Sequence, residues 1–389
     1  LGMLLHANVG AALILQTNAD LEAAEAGFGV SLDELRSLAK FMCREPELDA
    51  LPHRTMTVRR ERWDSELERA TRAATELAAP LRACARSRCS PADLLIAQQC
   101  GGSDAFSGTN ANPLVAEACK LCVQAGGSAL LAETDELIGA EQYVLSSVRD
   151  LPTAHKFLSL VDRFRGYASA HHTSAEGNPS GGNLFRGLYN IALKSLGAAM
   201  KRHPDVRLER VIEYGEPLLL PERSSLALDG GPEGLLSGAS SWEAKGEGSA
   251  PDQAAARRGP GYCFMDSPGN DLESIAGQVA AGCNLIYFTT GNGSITNFPF
   301  VPTIKVVSTH KRYELMSDDM DFDAGAERPR AVLAQELWQL TLEVASGQPS
   351  KGEASGHHQV QIWRDWAPSL PEAVEARALH PRGPCAMAE

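Results

Sequence analysis

The stretch FMDSPGNDLESIAGQVAAGCNLIYFTTGNGS, Phe264–Ser294, decides the fold. Around it, GYCFMD reads as a strand, SPGND as a loop and cap, LESIAGQVAAG as a helix and CNLIYFTT as a β-branched and aromatic strand. The same plan stands earlier in DLLIAQQCGGSDAFSGTNANPLVAEACKLCVQAGGSALLAETDELIG: strand, glycine loop, helix from about Pro113, glycine stop, strand. Two such units predict an α/β protein with a largely parallel sheet covered by helices. Residues 1–90 are rich in Ala, Arg and Glu, and ERWDSELERATRAATELAAPLRACA carries apolar positions at three- and four-residue steps, so a helical N-terminal region is expected. Further helices are expected at Thr153–Ala168 and from Arg186 to Arg202.

Composition limits the function classes. The chain has 389 residues, enough for two or more domains with apolar cores. A net charge of -13 and a pI near 5.3 disfavour nucleic acid and anionic lipid as partners. No apolar run reaches the roughly 20 residues that span a bilayer, and LGMLLHANVGAALIL lacks the basic start of a secretory signal. Nine cysteines with irregular spacing argue for reduced thiols, so a cytoplasmic protein is expected. The domain expectation is a partial, truncated α/β region at 1–90, a main α/β region at 91–221 and 262–366, a disordered insertion at 222–261 rich in Gly, Ser and charge, and a flexible tail from 367.

In an open parallel sheet, ligands collect where strand ends lead into helix N-termini, whose free amides favour anions. Cys100-Gly101-Gly102-Ser103-Asp104 occupies such a place and offers a thiol, a hydroxyl and a carboxylate; a plain strand-to-helix turn capped by Asp104 is the alternative. Asp266, Ser267 and Asn270 around Pro268-Gly269, and Thr289-Thr290-Gly291-Asn292-Gly293-Ser294 after the next strand, repeat the arrangement. Neither loop matches a Walker P-loop or G-x-G-x-x-G, which excludes a nucleotide cofactor from the reading. Lys305 in the apolar VPTIKVVST is either at a sheet end facing a ligand or snorkelling at an edge, with the ligand favoured. Among the acids of SDDMDFDAG, Asp321 is the functional candidate. Asn178-Pro179-Ser180-Gly181-Gly182-Asn183 is a turn whose amides and asparagines could equally line a polar site.

Other features read as structural. Cys119 and Cys122 form a C-x-x-C inside a helix with no second pair at zinc-ribbon spacing, so they are expected as core thiols. The pairs His171-His172 and His357-His358 point in different directions and are expected on surface loops. The run VQIWRDW reads as a docking segment that buries Trp363 and Trp366.

Taken in order, QCGGSDAFSG, ANP, ETDELIGAE, GNPSGGN, KSLGA, MDSPGNDLESIAGQVA, FTTGNGS, VPTIK, DDMD, LEVASG and QIWRDW resemble the galactarate/altronate dehydratase family of sugar-acid dehydratases, from about residue 92 to 366. The resemblance implies a lyase that depends on a divalent metal, typically Fe2+, and removes water from a hexonate or hexarate to leave a 2-keto-3-deoxy sugar acid. It implies Cys100 as a metal ligand or near-ligand, Asp104 and Asp266 as acid/base or supporting groups, and Lys305 as a partner for a carboxylate. Gly101, Gly102, Ser103, Ser107, Asn178, Asn183, Ser267, Gly269, Thr290, Gly291, Gly293, Ser294 and Asp321 are then expected to hold the substrate. Two departures stand out: Leu15-Gln16-Thr17-Asn18-Ala19-Asp20 has no cysteine where the family has Gly-Cys-Glu, and Leu184 replaces a lysine. The alternatives are a carbon-sulfur lyase acting on a sulfo-hydroxy acid, and a non-catalytic sugar-acid-binding protein or a subunit that works only when a partner supplies the missing N-terminal segment; a homo-oligomer is a further possibility for the chain's partners.

Overall fold

The computed structural model describes residues 2–17, 36–37, 39–40, 45–218 and 261–363. The expected insertion (Gly261 apart), the tail, Asn18–Asp20 and Trp366 lie outside these. The described residues fall into two compact units that divide at Cys89 and Ser90.

The first unit pairs two parallel strands, β1 (Ala12–Thr17) and β2 (His53–Val58), with a helix, α1 (Trp63–Ala78). Ala70 and Ala73, three residues apart on the helix, are its buried positions. The region expected to be helical thus also carries strands.

The second unit is built on a seven-stranded, wholly parallel sheet in the order β5-β6-β4-β3-β7-β8-β9. In chain order these are β3 (Leu95–Cys100), β4 (Ser128–Leu131), β5 (Leu208–Ile212), β6 (Tyr262–Met265), β7 (Leu285–Thr290), β8 (Thr303–Val307) and β9 (Phe322–Asp323). Every residue of β3, β4, β6, β7 and β8 is buried, as expected where helices cover both faces of a parallel sheet and apolar runs need not alternate. The helix after β3, α2 (Asn112–Gln124), packs against α7 (Arg330–Ala345) and brings Leu114, Ala118 and Cys122 into one core with Ile96, Tyr287 and Ile304. Cys119 and Cys122 are buried free thiols, as core positions should be.

The two β-loop-α-β units form where the sequence placed them, the second helix being α6 (Asp271–Ala280). The expected helix over Arg186–Arg202 is broken. A short α4 (Gly181–Phe185) ends at Arg186, Gly187 takes a φ of 93°, and Asn190 accepts a hydrogen bond from the Leu193 amide to start α5 (Ile191–Ala199). An asparagine acceptor at the N-cap outcompetes continued helix. The break leaves Lys201 and Arg202 beyond the end of α5, both buried. Gly108 and Gly197 lie backbone to backbone: a Cβ on Gly108 would stand 2.8 Å from the Gly197 Cα. The helix Leu151–Ala170, α3, runs a few residues longer than expected, and Phe157 meets Phe264 of β6 edge to face at 4.9 Å. Trp363 packs against Tyr214, Phe164 and Tyr167 but stays partly exposed, and Val360 and Ile362 of the same segment are exposed.

Candidate functional site

The carboxyl ends of β3, β4 and β6 lie side by side, and the loops that leave them are fastened together. Glu133 donates its amide to the Ser267 hydroxyl, the Thr134 amide donates to the Ser267 carbonyl, and the Thr134 hydroxyl donates to Asp266 Oδ1 at 2.5 Å. Glu133 sits in the left-handed region at φ 69°, an uncommon place for a residue with a Cβ. The bend turns its carboxylate back on β3, where Oε2 accepts from the Cys100 amide at 3.2 Å and Oε1 from Gln99 Nε2 at 2.5 Å.

At this junction Cys100, Glu133 and Glu136 place their ligand-type atoms within 4.8 Å of one another, all buried. The Cys100 thiol lies 3.1 Å from Glu136 Oε2 and 3.4 Å from Glu133 Oε2. Two lysines reach in from beyond and within α5. Lys201 Nζ donates to Cys100 Sγ at 3.1 Å and forms an ion pair with Glu133, while Lys194 Nζ meets Glu136 Oε1 at 2.7 Å and Asn178 Oδ1 at 2.5 Å. Asn178 in turn donates to Asp135. Asp271, first in α6, lies so close to Gly101 that a Cβ there would be 2.3 Å from Asp271 Oδ2.

Burial sets the protonation of the acids. It pushes Asp271 up to about 7, with Glu136 adding to the rise, and Asp135 up to about 6 for the same two reasons. Burial raises Glu133 too, while the paired Lys201 ammonium pulls it down towards the charged form. Burial, then Glu133 and Glu136, also hold the Cys100 thiol well above its ordinary value. Burial alone would lower the Lys201 ammonium, but the neighbouring Cys100, Glu133 and Glu136 outweigh it and raise it. Four carboxyl groups thus share two ammonium groups, and two buried acceptors, Gln99 Oε1 and Asp135 Oδ1, have no hydrogen-bond partner. A thiol, several carboxylates, an excess of acceptors and a deficit of donors make a chemically suitable place for a divalent cation.

The structure distributes the other expected residues. Asp104 is buried and committed: it accepts from the amide and hydroxyl of Ser107 and from the Ser308 hydroxyl at 2.9 Å, so it holds its loop in shape. Asp266 takes Thr134 and Arg163 Nη2, the latter at 2.6 Å. Gly102 has φ 62°, and the Ser103 carbonyl accepts from Asn183 Nδ2. Gly269 closes over Asp135 and Glu136, with room for no Cβ. The Thr290 hydroxyl accepts from the Asn292 and Gly293 amides, Gly291 lies against Asp104, and Ser294 bonds Thr296. Asp321 clamps the backbone, accepting from the Lys305 and Lys351 amides. Lys305 is neither at a sheet end nor on an edge strand: it is the middle residue of β8, between β7 and β9. It is fully buried, and its Nζ has no hydrogen-bond partner. Leu184 is exposed.

Sequence reasoning found Cys100 and Asn178 but passed over Glu133, Glu136, Lys194, Lys201, Asp271 and Asp135. The available signal was positional: ETDE follows directly on the apolar SALLA, at the carboxyl end of a strand, where an acidic run has no reason to be buried unless it is paired.

Residues 91–237 and 249–368 match the family described as D-galactarate/altronate dehydratase, C-terminal. The chain is 27% identical over 365 residues to an altronate dehydratase of Escherichia coli, covering 93% of this chain and 62% of that enzyme. It is 30% identical over 276 residues to an altronate dehydratase of Bacillus subtilis, covering 70% and 47%. It is also 27% identical over 285 residues to the (2R)-sulfolactate sulfo-lyase subunit beta of Chromohalobacter salexigens, covering 72% and 63%. The chain therefore spans less than two thirds of the length of each of these relatives.

Proposed function

The chain belongs to the D-galactarate/altronate dehydratase family, and from that premise we propose that it takes part in removing water from a sugar acid such as altronate or galactarate to give a 2-keto-3-deoxy sugar acid, with Fe2+ held by Cys100, Glu133 and Glu136. One observation carries the reading: three ligand-type groups converge within 4.8 Å where β3 and β4 end side by side. Ligand atoms at about 2.0–2.3 Å from one ion can stand at most roughly 4.6 Å apart, so a small inward movement closes the set. The unpaired Gln99 Oε1 and Asp135 Oδ1 point to the same deficit of positive charge.

When bound, the ion would supply Lewis-acid stabilisation of negative charge on a substrate oxygen. The chain's own groups supply the rest. Dehydration beside a carboxylate needs a base for the proton on the carboxylate-bearing carbon and an acid for the departing hydroxide. Asp271, half-buried and poised at about 7, is the group we assign to proton transfer. Lys194, held by Glu136 and Asn178, keeps positive charge beside the carboxylates. The amides of Gly101 and Gly102 and the loop Thr290–Ser294 would hold the polyol, with Asp104 and Asp266 keeping those loops in place. Lys305 is assigned to a distal carboxylate, the partner its buried ammonium lacks. We place this catalytic region at 91–221 and 262–366, in a cytoplasmic protein. Among the described residues no helix is long and apolar enough to cross a membrane. The sulfo-lyase relative is a subunit, which supports a partner chain for this one.

That relative also favours a second reading, elimination of sulfite from a sulfo-hydroxy acid. Anaerobic turnover of the purified chain with ferrous ion and galactarate, altronate and sulfolactate separates the two. Keto acid from one sugar acid supports the dehydratase, and sulfite release supports the second reading. Binding without turnover points to a subunit that needs its partner.

A further inference from the structure

Lys201 contacts two of the three groups assigned to the metal. Its Nζ donates to Cys100 Sγ at 3.1 Å and pairs with Glu133 Oε2. Glu133 has little left to offer: Oε1 takes Gln99 Nε2, and Oε2 also takes the Cys100 amide. Lys194 differs, since it meets only Glu136, through Oε1, and shares its ammonium with Asn178. Glu136 Oε2 is left with the Cys100 thiol alone. The main chain of Lys201 is fixed, its carbonyl accepting from Gln98 Nε2 at 2.6 Å and from the Tyr262 hydroxyl at 3.3 Å. Only the side chain is free to move. An acceptor for it exists in Gln99 Oε1, buried, unpartnered and carried by a residue already bonded to Glu133.

We propose that Lys201 is an internal counter-cation whose ammonium competes with the divalent ion for Cys100 and Glu133, so that loading the centre requires its side chain to leave these two ligands. The proposal rests on the metal-centre reading above. It makes Lys201 a determinant of metal affinity, separate from Lys194, which can keep its contacts when the centre is filled. An ammonium in contact with the Cys100 sulfur and the Glu133 carboxyl occupies the same lone pairs a metal needs, and two cations cannot share them without strong repulsion.

The test titrates the full chain with Co2+ under anaerobic conditions, reading the sulfur-to-cobalt charge-transfer absorption and the calorimetric affinity for wild type, Lys201→Gln and Lys194→Gln. Lys201→Gln should bind Co2+ about tenfold or more tightly than wild type, and Lys194→Gln should gain less. If wild type binds with the sulfur band but Lys201→Gln binds no more tightly, the competition is overturned and the metal centre stands. If neither wild type nor the variants bind, both are overturned. Should Lys201→Gln fail to fold, wild type labelled with 15N-lysine answers the same question. The Lys201 ammonium signal should move on Zn2+ addition more than that of Lys194, and an unmoved Lys201 signal overturns the proposal.

Discussion

Lys201 and Lys305 are both fully buried, and their surroundings treat the charge in opposite ways. Beside β3 and β4, Cys100, Glu133 and Glu136 surround Lys201 and raise its hold on the proton. In the middle of β8, burial lowers the Lys305 ammonium, and Asp321 and Asp319 recover only part of the loss. Burial alone therefore does not identify a working lysine. A paired ammonium is part of a structure that stands without substrate, whereas an unpaired one costs stability that a ligand, or the loss of its proton, can offset.

The largest expected effect tests the paired side. Glu133→Gln leaves Lys201 without its main carboxylate and should cost about 3–5 kcal/mol in urea unfolding. A cost below about 1 kcal/mol would mean that Glu136 can take over, and the two lysines would be less different than they look. Next comes pH. The folded value for Asp271, about 7, lies above its ordinary 3.8, so the fold favours the neutral acid. The stability this gives is present below about pH 4 and is lost as pH rises to about 7, a change of a few kcal/mol. Asp271→Asn should flatten that part of the stability profile, and a profile unchanged by the substitution would remove Asp271 from the acidic group. On the unpaired side, Lys305→Met should raise stability by about 1–2 kcal/mol, since it deletes an unsatisfied buried charge. It should also weaken sugar-acid binding in calorimetry; a destabilised variant with unchanged binding would turn the contrast around. The smallest effect is the surface reference: Lys120 and Asp205 pair at 2.6 Å on the outside, and Lys120→Ala should change the melting free energy by less than about 1 kcal/mol.

Much of the sheet was legible because its signals are local. Leu95–Cys100 and Leu285–Thr290 each open on an apolar stretch and close at a glycine turn, and the helices between strands carry their own periodicity. The break at Gly187 was less legible because Leu184–Arg202 is rich in helix formers, and only the Asn190 cap reveals the restart. The site was half legible. Cys100 stands beside a glycine pair that draws attention, whereas Lys201 reads as the solvated end of a helix until the fold carries it 101 positions back in sequence, to Cys100. Side chains that matter through long-range pairing leave no local trace. Glu133 is the exception in principle, for an acid directly after SALLA is out of place unless the fold holds a partner for it.

The contact between Gly108 and Gly197 gives the molecule a mechanical adjustment. Gly197 belongs to the helix that carries Lys194 and leads to Lys201, and Gly108 belongs to the turn that follows the Cys100 loop. With no side chain on either, the two segments rest on each other's main chain. A single methyl group at Gly108 would act as a shim, displacing the lysine-bearing helix from the cysteine-bearing loop while leaving every charged group in the sequence unchanged.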